Sequence, residues 1–286
     1  MPVHLHDTRS LPEKLTTRVE RKFYLPPGKV EMAYGLLRAL TRPDPEFPVE
    51  EISSLYFDSV DLDELESSLS GDYRKNKVRI RWYGGRNNGV TSVFIELKAR
   101  QGFASTKQRR KLEVPSKKLL PRHLASGIVP PGQLAETLSG FGFFTRKALL
   151  PVIKISYLRF RFRDAMGSQS LAIDCHIRAT PVMRQLENTR GEIEVTGAVL
   201  EIKGPGMELP VFLNRVNLLE VDWTQFSKYS ACVSACRDRE VILGRASPPG
   251  RCVPEMPVVL REPVMRDSDW GKLFPGANDN SFLRKV

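Results

Sequence analysis

Histidine is scarce in this chain, with only four in 286 residues. His4, His6, His123 and His176 show no constellation that would serve a metal or a general base. Cysteine is equally rare: Cys175, Cys232, Cys236 and Cys252. No Cys-x-x-Cys occurs, and His176 beside Cys175 is not a metal-ligand spacing. Reduced thiols in a cytoplasmic protein are the expectation. Cys232 and Cys236 stand one helical turn apart, a spacing that suits two small core residues. No apolar run approaches the length of a membrane span, and the N-terminus has no apolar segment of the signal-peptide kind. A soluble protein without a transmembrane segment is expected. No internal repeat is convincing.

What the chain has is positive charge. Lys and Arg outnumber Asp and Glu by 44 to 33, giving a net charge of +11. That excess implies an anionic partner: nucleic acid, a phosphorylated metabolite, polyphosphate or a membrane surface. Hydrophobic residues make up 41%, enough for a real core. The length allows one large domain or two small ones.

The charge is patterned. Lys77 to Gly84 and Val93 to Arg100 both alternate with period two, and read as the strands of an antiparallel hairpin. Val78, Ile80, Trp82, Val93, Ile95 and Leu97 form one face. Lys77, Arg79, Arg81, Glu96, Lys98 and Arg100 form the other. Side chains along one strand face sit about 7 Å apart, so this face is a dense lattice of cations suited to an anion.

Other segments repeat the pattern. Arg18, Glu20, Lys22 and Tyr24 share one face of a first strand, closed by Pro26-Pro27-Gly28. Residues 29–41 follow as an amphipathic helix with Val30, Ala33, Leu36, Leu37 and Leu40 on one stripe. Ile52 to Ser59 is a strand. Residues 61–70 are a short helix with Asp61 as N-cap and Gly71 past its end. Thr106 to Val114 is a strand with Lys107, Arg109, Lys111 and Glu113 on one side, and 116–147 hold two short helices broken at Pro130-Pro131. Val152 to Arg163 carries Tyr157, Arg159, Arg161 and Arg163 on one side. Ser170 to Asp174 and Gly197 to Lys203 complete the strands, and Glu201 and Lys203 share a face. Pro210 to Leu219 is a short helix. Ser227 is the N-cap of a helix running to about Val241. Asp58 and Asp174 read as structural. Residues 1–16 read as a loose arm and 244–286 as a poorly ordered, Pro- and Gly-rich tail. Closing the sheet would turn the charged faces inward and leave the apolar outside to the helices, giving an α+β fold around a polar-lined barrel.

Nine segments occur in an order that resembles a known family. They are Glu20-Arg21-Lys22-Phe23, Leu55-Tyr56-Phe57-Asp58-Ser59, the run Lys77 to Gly84, Phe94-Ile95-Glu96-Leu97-Lys98 and Ser105-Thr106-Lys107. Tyr157-Leu158-Arg159, Ile173-Asp174, Val199-Leu200-Glu201-Ile202-Lys203 and Phe226-Ser227-Lys228-Tyr229 follow. Together they resemble the VTC domain, the polyphosphate polymerase branch of the CYTH-like triphosphate tunnel metalloenzymes, over residues 17 to about 240.

The resemblance implies a closed, eight-stranded antiparallel tunnel with helices outside, spanning residues 17–243. It implies transfer of the γ-phosphoryl group of ATP onto inorganic polyphosphate, with Mn²⁺ or Mg²⁺. Carried over by position, Arg79, Arg81, Lys98, Arg159, Lys228 and Glu201 would be catalytic. Lys22, Lys107, Arg109, Tyr157, Arg161 and Ser227 would join the cations among them in binding phosphate. Glu201 would hold the metal, with Glu20 or Glu96 as further candidates. Two positions depart from the pattern. Ser170 stands where the family usually has an arginine, with Ala172 replacing a threonine, so one phosphate contact is either missing or supplied by Arg161 or Arg178. Arg18 replaces the first glutamate of the triphosphatases' Glu-x-Glu-x-Lys strand, which argues against hydrolysis. The alternatives are a triphosphatase on the same fold and a non-catalytic polyanion or RNA binder using Tyr83 and Phe94. DNA is not an expected partner.

Overall fold

The computed structural model describes residues 19–84, 89–102, 104–186, 191–206, 209, 211–222 and 226–242. The expected N-terminal arm, Arg18, Cys252 and the expected C-terminal tail lie outside them. In chain order the elements are β1 (Val19–Leu25), α1 (Pro27–Leu40), β2 (Arg42–Pro43), β3 (Val49–Asp58), α2 (Asp63–Ser70), β4 (Arg74–Tyr83), β5 (Val90–Gln101) and β6 (Ala104–Pro115). Then come α3 (Pro121–Leu124), α4 (Pro131–Gly140), β7 (Leu150–Arg163), β8 (Ser170–Pro181), β9 (Ile193–Val195), β10 (Ala198–Gly204) and α5 (Lys228–Ile242). Short 3-10 turns cover Ser116–Leu119 and Arg184–Leu186, and the short helix expected near Leu219 is a longer 3-10 helix, Val211–Leu219.

All ten strands belong to one antiparallel sheet. Its path is β1-β10-β8-β7-β3-β4-β5-β6, with β2 added to β7 and β9 to β8. Among the described residues β1 and β6 do not pair, so the sheet is open. This corrects the closed eight-stranded barrel expected from the sequence. The edges supply a reason. β6 exposes Lys107, Arg109, Arg110 and Lys111, and β1 carries Arg21 and Lys22. Lysine and arginine along an edge oppose pairing with a strand of like charge.

The sheet nevertheless curls until its ends approach. Lys98 on β5 and Glu20 on β1 are six strand steps apart, about 29 Å in a flat sheet. Their side chains meet at 2.9 Å. The charged face is therefore the concave one.

The apolar positions of the alternating strands pack outward, as the pattern predicts. Val78, Ile80, Trp82, Val93, Ile95 and Leu97 are buried against Leu124 of α3 and Leu134 and Leu138 of α4. Phe23, Leu25, Phe160, Phe162, Leu200 and Ile202 are covered by Ala33 and Leu37 of α1 and by Leu213, Val216 and Leu219. Each such side chain contributes roughly 1.5–3 kcal/mol of burial. A third cluster lies on the concave side. There Tyr229, Cys232, Val233 and Cys236 of α5 and Leu65 of α2 pack on Ile52, Ile153, Ile155 and Val199, closing one end. Cys232 and Cys236 are thus core residues, and both are free thiols.

Two local features differ from expectation. Asp61 does not cap α2; it pairs with Lys147 at 2.8 Å. The capping is done by Asp58, whose carboxylate accepts from Glu64 N and Leu65 N at 3.0 Å and from the Tyr229 hydroxyl at 2.9 Å. Asp58 is therefore structural, as expected, and ties β3, α2 and α5 together. β8, expected to be short, runs to Pro181 through a bulge opposite Tyr157, with His176 at φ 51. The extra residue flips the face beyond it. Ile177 and Ala179 turn inward, and Arg178 turns outward to Glu51 at 3.3 Å.

Candidate active site

Strand register decides which side chains meet, because cross-strand partners share a face. One wall of the trough is built by β3 to β6. A first row runs Tyr56, Arg79, Glu96, Arg109; a second runs Lys77, Lys98, Lys107. The opposite wall is built by β7, β8, β10 and β1. Its rows are Arg159, Asp174, Val199, Tyr24; then Arg161, Ala172, Glu201, Lys22; then Arg163, Ser170, Lys203, Glu20.

On the first wall Arg79 Nε and Nη2 donate to Glu96 Oε2 at 2.9 and 2.7 Å, and Nη1 donates to the Tyr56 hydroxyl at 3.1 Å. Arg81 donates to Ser54 Oγ at 3.1 Å and to the Tyr157 hydroxyl at 3.2 Å. Lys107 lies 2.8 Å from Glu96. Arg109 covers the Phe94 ring at 3.9 Å. Burial by itself would push the Glu96 carboxyl up, but Arg79, Arg81 and Lys107 hold it down to about 2. Both guanidinium groups are thus fixed in place, with Glu96 as their anchor.

On the second wall Arg159 forks onto Asp174 at 2.5 and 2.6 Å, and its Nη2 also donates to Glu201 at 3.0 Å. Lys228 completes this cluster, 2.5 Å from Asp174 and 3.1 Å from Glu201. Lys228 is the first residue of α5, where the helix dipole disfavours a cation. The two carboxylates offset that, and they raise its pKa against the effect of burial. Ser227 caps α5 as expected, its Oγ accepting from Ser230 N at 3.3 Å. Burial would raise Glu201, but Lys228, Arg159 and Lys203 hold it well below the usual carboxylate range.

The two walls are joined at Glu20. Lys98 lies 2.9 Å from it, Lys203 3.2 Å and Lys22 3.8 Å. Burial would raise its pKa, yet Lys22, Lys203 and Lys98 depress it. The Lys203 ammonium also lies 3.5 Å from Glu201, so two carboxylates converge on one cation. Among the described residues no three His, Cys, Asp or Glu side chains gather as a metal site. The donor set fits only a hard divalent ion, one held by one or two carboxylates that otherwise keeps water and takes phosphate oxygens. Glu20 and Glu201, with Lys203 standing in for the cation, meet that requirement.

Lys22, Arg79, Arg81, Lys98, Lys107, Tyr157, Arg159, Glu201, Ser227 and Lys228 all lie on or at the trough, as the sequence leads one to expect. Arg109 and Arg161 share that face, the latter paired with Glu50 at 2.6 Å. Arg178 does not, because of the β8 bulge, so it cannot replace the contact absent at Ser170. The residues opposite Ser170 in register are Arg163 and Lys203. Asp174, read from the sequence as structural, is fully buried at the heart of the second wall. Lys77 and Lys203 were read as charged-face residues but not as members of the site.

No helix among the described residues is long and apolar enough to cross a membrane. Comparison with curated proteins gives no match. Among solved structures, a candidate adenylate cyclase from Bacillus halodurans is similar at a TM-score of 0.46 and 16% identity, covering 73% of this chain and 93% of that one. Another candidate adenylate cyclase, from Vibrio parahaemolyticus, is similar at a TM-score of 0.39 and 9% identity, covering 75% and 96%. Likenesses this low say nothing of activity. The sequence itself is decisive: the VTC domain family model matches residues 17–237, and the chain belongs to that family.

Proposed function

We propose that this chain is a metal-dependent polyphosphate polymerase of the cytoplasm, acting through a domain of residues 17–243. It transfers the γ-phosphoryl group of ATP to the end of an inorganic polyphosphate chain lying in the trough. The observation that carries this reading is the arrangement of the cations. Arg79, Arg81, Lys98, Lys107, Arg159, Lys22 and Lys228 line one concave face, several of them held by carboxylates that a phosphate chain can displace.

Phosphoryl transfer asks for in-line placement and for charge to offset the equatorial oxygens. Arg79, Arg81 and Arg159 offer paired donors matched to phosphate, and Lys22, Lys98, Lys107 and Lys228 act as point charges. Tyr157, Ser227, Arg109 and Arg161 extend the contacts. An oxygen of the polyphosphate terminus attacks the γ-phosphorus, the bond to the bridging β,γ-oxygen breaks, and ADP leaves. No base is required, since the attacking oxygen is already anionic. Mn²⁺ or Mg²⁺, held by Glu201 with Glu20, would add charge neutralisation on the phosphate oxygens when bound. Glu96 serves the arginines instead.

A triphosphatase would use the same trough. Product analysis separates the two: long chains and ADP, or orthophosphate and diphosphate. An RNA binder needs aromatic faces open to bases. Phe94 is covered by Arg109 and packs edge-on to Tyr83 at 5.7 Å.

A further inference from the structure

Register places Lys77, Lys98 and Lys107 directly opposite one another on β4, β5 and β6. Like charges so placed destabilise a sheet unless something neutralises them. Lys98 has Glu20 at 2.9 Å and Lys107 has Glu96 at 2.8 Å. Among the described residues no carboxylate lies within ion-pair reach of Lys77. Its Nζ donates to Ser227 Oγ at 2.9 Å, a hydroxyl already engaged in capping α5. The charged groups that face it are cations: Lys22 from β1, Lys98 from β5, and Arg79 and Lys75 from its own strand. On the α5 side stands the Ser227 hydroxyl, with Lys228 paired to Asp174 and Glu201.

We propose that Lys77 is a phosphate-binding residue of this trough, completing with Lys98 and Lys107 a rung of three ammonium groups that grips one phosphoryl group of a bound chain. This rests on the reading that the trough holds a triphosphate or polyphosphate. Burial and the four neighbouring cations push the Lys77 ammonium down to about 7 from its ordinary 10.5. A phosphate oxygen brought to Nζ favours the charged form, so between those pH values binding draws in a proton.

The test is calorimetric titration of the full chain with inorganic triphosphate in EDTA at pH 8, in two buffers of different ionisation enthalpy. Lys77→Met should weaken binding about tenfold or more and lose close to one proton of uptake. Lys77→Arg should hold affinity within a few-fold while losing the same uptake, since arginine stays charged. Lys77→Met should melt no lower than the wild type, because it removes a half-buried cation. Unchanged affinity and uptake in Lys77→Met would overturn the proposal. A wild type that does not bind triphosphate would sink the trough reading with it. One that binds but makes no polyphosphate from ATP would sink only the polymerase.

Discussion

Lys98 on β5 and Glu20 on β1 meet at 2.9 Å across the gap that the backbone leaves between the two ends of the sheet. The trough is thus closed at this point by a side-chain ion pair, which an anion can open where a hydrogen-bonded ladder would resist. An incoming phosphate competes with Glu20 for Lys98, and also for Lys22 and Lys203. Glu20→Gln should therefore tighten metal-free triphosphate binding by about fivefold, the ~1 kcal/mol scale of a partly exposed ion pair. Calorimetry in EDTA checks this, and weaker binding in the variant would refute it.

Asp174 and Glu201 share Arg159 and Lys228 but should fail differently. Asp174 is fully buried and takes both arms of the Arg159 fork. Asp174→Asn leaves buried cations underpaired and should cost about 3–5 kcal/mol of stability, read from denaturant midpoints. In Glu201→Gln, Asp174 still pairs both cations, so the loss of stability should be smaller. Turnover should fall about a hundredfold or more, as when a charge-stabilising group is removed. Equal stability losses in the two variants would dissolve the distinction.

Much of this site was legible in period-two alternation. Arg79, Arg81, Glu96 and Lys98 fall on one face because Val78, Ile80, Ile95 and Leu97 must be buried, and burial fixes strand register. The bulge at His176 was not legible, since a left-handed residue other than glycine leaves no turn signal, and it sent Arg178 to the wrong face. The partners of Asp174, Arg159 and Lys228, come from elements distant in sequence, so alternation alone does not reveal them. The open edge was hidden too, because closure depends on how β1 and β6 approach, which alternation does not encode.

Stability should fall in acid with a slope that Glu96 helps to set. Its folded pKa is about 2 against an ordinary 4.5. Between those values the unfolded chain binds a proton that the folded chain does not, so stability is lost as pH falls through that window. Glu20, Glu201 and Asp174 are shifted in the same direction. Glu96→Gln should flatten the acid limb of stability against pH, measured by denaturant titration from pH 5 to 2. An unchanged slope would mean that Arg79 and Lys107 do not hold Glu96 ionised.

The most direct measurement is incubation of the purified chain with ATP and Mn²⁺, with and without EDTA, followed by gel staining for polyphosphate and assay of ADP. The polymerase reading requires a ladder of chains and matching ADP, both lost with EDTA. Orthophosphate and diphosphate without a ladder would contradict it and make the trough a triphosphatase's.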